Sequence, residues 1–330
     1  MAETRRMATT LASRLGFSEV GVGKVALVVT EAATNLVKHA TAGEILLYGL
    51  QAGQIGGIEV VTLDRGPGIS NVAKCLRDGY STTGSPGTGL GAIRRLANSF
   101  DIHSVSGQGT VMLARLWSKP LPATLPPVLE VGAVSLPKPG EDVCGDQWAA
   151  EWLPGRSMIV VADGLGHGQG AAEASLEAVQ TFRERVALTP AAIVEAIHAA
   201  LRSTRGAAVA VAEIAPSQET VRFAGVGNIS GVVLSTESSR HMVSHNGTAG
   251  HAVRKIQEFT YPWPAGALLI LHSDGLVTHL RPERYPGLIK HHPDLIAATF
   301  YRDYARGHDD ATVVVVREGT GEELQIGETG

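Results

Sequence analysis

Four aspartates in the second half of this chain stand where they could do joint chemistry. Asp163 follows the apolar run Val160-Val161-Ala162 and leads into Gly164-Leu165-Gly166-His167-Gly168. Asp146 follows Gly145 and precedes Gln147-Trp148, and Asp274 lies in His272-Ser273-Asp274-Gly275 after the run Leu268 to Leu271. Asp309 and Asp310 precede Ala311-Thr312 and the run Val313 to Val316. An Asp-Gly pair by itself marks a turn. Several carboxylates at the ends of β-like runs, three of them beside glycine, suit a hard-cation site made of oxygen donors. The glycines let backbone come close to such a site.

The elements that must position these groups follow from the pattern around them. β-like runs at 131–136, 147–153 and 157–162 precede two helical stretches, about 169–187 and 190–203. Further β-like runs occupy 207–214, 220–225, 229–235, 240–244, 256–261 and 267–272. Strands, a helix pair and strands again predict two sheets sandwiched between helices. Gly225 to Gly231, with Asn228 inside it, reads as a hairpin corner.

These motifs, in this order, resemble the metal-dependent PPM protein Ser/Thr phosphatases, in the SpoIIE-like bacterial branch. The resemblance spans nearly all of residues 130–317. It implies that Asp146, Asp163, Asp274 and Asp309, with the carbonyl of Gly164, bind two Mn²⁺ or Mg²⁺ ions. It also implies that water activated there attacks a phosphoserine or phosphothreonine in line, with Asp163 central to catalysis. Asp310 reads as support behind Asp309, or as a stand-in for an asparagine of the family. In the wider family a histidine directly follows the Asp-Gly pair. Here Leu165 does, so no role carries over to His167.

The first half has its own constellation. An apolar spacing predicts a helix over 3–15, with Met7, Leu11 and Leu15 on one side and Gly16 at its end. A second helix, about Gly21 to Ala40, carries a stripe from Val25 to Val37. Glu31, Asn35 and His39 lie along one polar flank of it. Strands are predicted at 44–50, 58–63, 100–104 and 110–117, and a helix at about 90–99. Asp64-Arg65-Gly66-Pro67-Gly68 ends the second strand, and Gly79 to Gly91 forms a glycine-rich loop.

Alone, the Glu-Asn flank reads as a solvated helix face and the glycines as a loop. Their joint order resembles the Bergerat (GHKL, HATPase_c) ATP-binding fold over residues 3–117. Leu15 to Ser18, with Glu31-Ala-Ala-Thr-Asn35-Leu-Val-Lys-His39, is most similar to RsbT-type protein-serine kinases, with RsbW-type anti-sigma kinases next. The resemblance implies ATP with Mg²⁺, Asn35 holding the metal and Glu31 accepting the substrate hydroxyl proton. It implies Asp64 on the adenine amino group, with Gly66, Gly68 and Thr110 beside the base. Gly87, Gly89 and Gly91 would wrap the phosphates. Kinases of this type open with a strand, whereas this chain begins almost in a helix.

The fold class expected is therefore two-domain α+β: an N-terminal Bergerat α/β sandwich and a C-terminal PPM-type αββα sandwich. Residues 1–117 form the ATP-binding domain and 118–128 a linker with four prolines between Ser118 and Pro127. Residues 129–318 form the phosphatase and 319–330 a tail. A length of 330 residues and 44% hydrophobic content allow two cores. A formal charge of −4 and no basic cluster argue against nucleic acid. Two cysteines make no disulfide framework, and no run approaches about 20 apolar residues, so a cytoplasmic protein without membrane contact is expected.

The combined expectation is a bifunctional enzyme, serine kinase and phosphatase, acting on a STAS-domain switch protein in stressosome-like stress or sigma-factor signalling. A sigma factor, another phosphatase or a second copy of the chain are further partners that the resemblance allows. The alternative keeps the phosphatase alone, with the first half a nucleotide-sensing or partner-binding module.

Overall fold

The computed structural model describes residues 1–76, 89–122 and 129–319. The expected loop over 79–88 with Gly87, most of the proline-rich linker and the tail beyond 319 lie outside the described residues. Contacts group the described residues into two compact units. The first holds residues 1–122 and, from later in the sequence, 283–299; the second holds 129–282 and 300–319.

In the first unit, α1 (Ala2–Arg14) and α2 (Glu19–His39) precede a four-stranded antiparallel sheet of β1 (Glu44–Ala52), β2 (Ile55–Leu63), β3 (Ser99–Val105) and β4 (Gly109–Trp117). The strand order is β1-β2-β4-β3. Short α3 (Val72–Cys75) and α4 (Gly89–Leu96) lie between β2 and β3 in sequence. α2 starts where it does because the Ser18 side chain accepts from Gly21 N, and Glu19 and Lys38 suit its two ends.

Its stripe of Val25, Val28, Val29 and Ala32 joins Ile58, Val60, Met112 and Ala114 of the sheet in one core. α2, at 21 residues, is also the one helix among the described residues long and apolar enough to cross a membrane. This corrects the expectation that no run reaches that length. Lys24 and Glu31 interrupt its apolar run, and its apolar side packs on the sheet, as in a core helix.

The opposite sheet face is also buried. Glu59, Val61, Leu63, Val111 and Leu113 are all covered there. Arg115 Nε donates to Glu59 Oε2 at 2.5 Å, and the same guanidinium reaches Asp294 and His292 of 283–299. Asp101 accepts from His291 Nδ1 and from His292 N. Burial and the Asp294 carboxylate push Glu59 up to about 7, with Arg115 opposing.

The second unit contains two five-stranded sheets. One has the order β11-β10-β13-β14-β5, the other β12-β9-β8-β7-β6. The first combines β5 (Leu129–Leu136), β10 (Ser230–Leu234), β11 (Ser239–His241), β13 (Leu268–His272) and β14 (Ala311–Glu318). The second combines β6 (Asp146–Leu153), β7 (Arg156–Gly164), β8 (Ala207–Ala215), β9 (Thr220–Val226) and β12 (Glu258–Pro262).

Alternate residues of β7 explain both layers. Ile159 and Val161 enter the core between the sheets with Phe223, Leu269 and Val314. Met158, Val160 and Ala162 face α5 (Gln169–Glu184) and α6 (Pro190–Ala200), meeting Phe182 and Ile197. Both helices end a few residues before the expected limits, and 201–203 tightens into a 3₁₀ turn. A seventh helix, α7 (Pro293–Tyr304), went unread in the sequence, although Pro293, Asp294 and the spacing of Ile296 and Phe300 are helix signals.

Candidate functional site

Antiparallel pairing builds the acidic end of the second unit. β6 and β7 place Asp146 and Asp163 directly opposite each other in register. Asp274 follows β13, and Asp309 and Asp310 precede β14, which pairs with β13 through His272 and Val313. Each sheet thus sends its acidic residues out at a strand end. Asp163, Asp274 and Asp309 line one cavity of about 590 Å³, together with Asn228, Lys138 and His167.

The glycines beside these aspartates serve close approach rather than turning, for none of Gly145, Gly164 and Gly275 has a positive φ. A Cβ at Gly164 would stand 2.0 Å from the Ala171 carbonyl oxygen, and one at Gly275 1.8 Å from that of Asp310. At Gly145 it would meet Asp310 Oδ2 at 2.6 Å. Any side chain there would push the motifs apart.

Hydrogen bonds orient the carboxylates one oxygen at a time. Asp146 Oδ2 accepts from Ser273 Oγ at 2.6 Å, and Asp274 Oδ2 accepts from Asn228 Nδ2 at 2.6 Å. Asp309 Oδ1 accepts from Asp310 N, and Asp310 Oδ1 from Lys138 N. Asp146 Oδ1 and Asp310 Oδ2 are buried with no hydrogen-bond partner among the described residues. Burial, then the charges of Asp146, Asp274, Asp309 and Asp310, push Asp163 up to about 9. Burial pushes Asp146 up to about 7, against the hydrogen bonds from Ser273 and Thr312. Asp274 is raised by burial and by Asp309.

Buried like charges with orphaned oxygens require a counter-charge, and an all-oxygen donor set suits a hard divalent cation. The residues fit that group. Among the described residues no three acidic, histidine or cysteine side chains already close a coordination set. The carboxylates frame the cavity instead of meeting at one point.

In the first unit the expected nucleotide residues also gather. Glu31 and Asn35 lie one turn apart on α2, and α4 starts against them. A Cβ on Gly89 would meet Asn35 Oδ1 at 3.2 Å and Glu31 Oε2 at 3.5 Å. Asn35 Nδ2 is buried without a hydrogen-bond partner among the described residues. Gly91 is buried within α4. Asp64, just past β2, accepts from Gly66 N at 2.7 Å. Its own N–H donates to the Thr110 carbonyl, and Thr110 Oγ1 lies 2.8 Å from Ser104 Oγ.

Gly68 has φ +68° and passes the Val105 carbonyl where a Cβ would stand at 2.2 Å. Gly109, which the sequence did not single out, is as confined against the Asp64 carbonyl, at 2.0 Å. A helix start, a buried amide and a carboxylate beside a glycine turn suit an anionic nucleotide.

Comparison with known proteins agrees with both halves. The family described as Stage II sporulation protein E (SpoIIE) matches residues 154–318, and the family described as Histidine kinase-like ATPase domain matches residues 1–116. The chain belongs to the SpoIIE family. Its first half belongs with the RsbT-like kinases: it is 33% identical over 113 residues to the serine/threonine-protein kinase RsbT of Bacillus subtilis (strain 168). That match covers 34% of this chain and 85% of RsbT.

A solved chain described as "The bacterial stressosome: a modular system that has been adapted to control secondary messenger signaling" is 28% identical, with TM-score 0.54. It covers 57% of this chain and 99% of its own. RsbX, solved in complex with magnesium, shares the fold at 23% identity and TM-score 0.50, covering 58% of this chain and 96% of its own. This SpoIIE-family chain is therefore an enzyme of protein Ser/Thr phosphatase type with an RsbT-like kinase domain ahead of it. It has the two-domain α+β fold expected, with a histidine-kinase-like ATPase region followed by a PP2C-like region.

Proposed function

We propose that this protein is a bifunctional switch enzyme that phosphorylates and dephosphorylates one serine or threonine of a STAS-domain regulator in partner-switching stress signalling. The observation that carries this reading is the presence, in one chain, of the Glu31–Asn35–Gly89 cluster and the Asp146–Asp163–Asp274–Asp309 frame. Residues 1–117 form the kinase domain and 129–318 the phosphatase. The site is that of a cytoplasmic signalling protein, and a sigma factor or a second copy of the chain are further partners it would meet.

Asp146, Asp163, Asp274, Asp309 and the Gly164 carbonyl would hold two Mn²⁺ or Mg²⁺ ions in the second domain. When bound, such ions neutralise phosphate charge and make water a nucleophile near neutral pH. Ser273 and Asn228 fix the directions of two of these carboxylates, and Lys138 brings a cation to the cavity that a phosphate must enter. In the first domain Asn35 would hold the Mg²⁺ of ATP. Glu31 would accept the substrate hydroxyl proton, and Asp64, with Gly66, Gly68 and Thr110, would hold the adenine. Gly87, Gly89 and Gly91 would face the phosphates. RsbT and the stressosome structure supply the kinship that favours a STAS-type partner.

The test is mass spectrometry of the partner serine after incubation with ATP. Wild-type protein should release ADP and phosphate with little phospho-protein, because two sites tethered by a short linker act on one residue. Asp163→Asn should accumulate the phospho-protein, and adding Glu31→Ala should abolish it. If Asp163→Asn yields none while wild type dephosphorylates pre-phosphorylated partner, the first half is a regulator and not a kinase.

A further inference from the structure

We infer that the phosphatase site selects phosphoproteins by acidic side chains flanking the phosphorylated serine or threonine, which Arg205, Arg254 and Lys255 bind at the cavity's rim. This rests on the phosphatase reading above and names the kind of chain that site admits.

Arg205 lies against the loop that follows Asp163. A Cβ on Gly166 would stand 3.5 Å from its Nη1, and one on Gly170 2.6 Å from its Nε. The guanidinium therefore rests on two residues that have no side chain to displace it. Gly166 itself lines the cavity. Leu165 N donates to Gly206 O, which holds the backbone beside Arg205 next to the same loop.

A second segment brings the other two cations. Gly247 and Thr248 line the cavity. Ala207 and Ala249 bond each other's backbone in both directions, and His251 Nε2 donates to the Arg205 carbonyl at 2.9 Å. Val253 then bridges back to Gly247. Arg254 and Lys255 follow at once, both exposed, as Arg205 is. The sequence shows no basic cluster because Arg205 and Arg254 belong to separate segments, which the pairing of Ala207 with Ala249 brings together.

No local partner explains these charges. Elsewhere in the unit Arg156 and Arg222 pair with Glu213, and Arg317 with Glu130. Among the described residues no carboxylate forms an ion pair with Arg205, Arg254 or Lys255. Glu141, against Gly168, is taken by His167 Nδ1 at 2.6 Å. Gly170 also lies in the first turn of α5, where the helix dipole opposes a cation and favours an anion.

The charge of the cavity calls for such a rim. Asp146, Asp163, Asp274, Asp309 and Asp310 outweigh two divalent ions, and a phosphoserine brings further negative charge. Cations at the mouth offset that charge and draw an acidic segment in. The cavity is roughly 10 Å across, about three residues of extended chain, so residues that close to the phosphorylated one reach the rim.

The test uses the full-length protein with Mn²⁺ and phosphoserine peptides that differ only in their flanks, with aspartate, asparagine or lysine at each of the three positions before and after the phosphoserine. Wild type should favour the best aspartate peptide over its asparagine counterpart about fivefold in kcat/KM, the upper end for one exposed ion pair. The difference should lie in KM and fade at about 0.5 M NaCl. Arg205→Glu should bring that ratio below one and make the lysine peptide the better substrate. The double variant Arg254→Ala/Lys255→Ala should lower the ratio by at least about twofold. Because the readout is a ratio between peptides, a general loss of activity does not move it. A wild-type ratio near one, or a wild-type ratio retained in both variants, overturns the rim while p-nitrophenyl phosphate hydrolysis by wild type upholds the phosphatase. If wild type hydrolyses neither the peptides nor p-nitrophenyl phosphate, the phosphatase reading itself falls and takes this one with it.

Discussion

Ser273 Oγ donates to Asp146 Oδ2 at 2.6 Å while accepting from Thr312 N at 3.0 Å. One hydroxyl thereby ties an aspartate of one sheet to the backbone of the other. It fixes which Asp146 oxygen is occupied and leaves Oδ1 for a cation. Ser273→Ala should weaken Mn²⁺ binding by about tenfold, the scale for residues supporting a metal ligand. It should also lower stability by about 1–3 kcal/mol, because the Thr312 N–H loses its buried acceptor. Calorimetric Mn²⁺ titration and urea unfolding check both, and Ser273→Thr should recover most of the binding. Wild-type affinity in Ser273→Ala would show the hydroxyl to be idle.

Asp163→Asn should abolish phosphoserine hydrolysis and yet make the metal-free protein more stable. The reason is that Asp163, half-buried, stands among four other carboxylates that repel its charge. Melting temperatures in EDTA should rise for the variant, and Mn²⁺ should raise the wild-type temperature but not the variant's. Unchanged Mn²⁺-dependent turnover in Asp163→Asn would remove Asp163 from the site.

Nucleotide binding by the first unit should depend on Asp64 and Asn35. Calorimetry on the full-length protein should show ADP and Mg-ATP binding, lost by at least tenfold in Asp64→Asn. Asn35→Ala should weaken Mg-ATP more than ADP without metal, since its amide is the buried polar group nearest the start of α4. If neither nucleotide binds at millimolar concentration, the first half is a protein-binding module.

Glu59 should make stability depend on pH. It and Asp294 share the Arg115 guanidinium, and its folded value of about 7 exceeds its ordinary 4.5. The folded state therefore holds the proton more tightly than the unfolded chain. This group's contribution is fully present below pH about 4.5 and is lost as pH rises through 7. Glu59→Gln should flatten the fall in unfolding free energy between pH 5 and 8, by an amount on the order of 1–3 kcal/mol. Urea unfolding at both pH values measures it; an unchanged slope would mean that Glu59 stays ionised beside Arg115.

Sequence by itself determined the periodic parts of both units and the residue types of both sites. Alternating apolar residues specify strands, and a 3.6-residue stripe specifies α2, because both patterns are local consequences of backbone geometry. The order of the acidic motifs was likewise legible, since each ends its own strand. Tertiary structure decided what local pattern cannot carry. The Asp146–Asp163 pairing comes from antiparallel register. The glycines beside the aspartates answer to backbone from remote segments, such as the Asp310 carbonyl against Gly275.

Asn228 and Glu141 find their hydrogen-bond partners only where the chain returns beside Asp274 and His167. The place of 283–299 within the first unit depends on Arg115, Asp101 and His292 meeting across about 180 residues of sequence. A side chain's type is written in the sequence. Its hydrogen-bond partner, its burial and the charges around it are set by which distant segments pack against it.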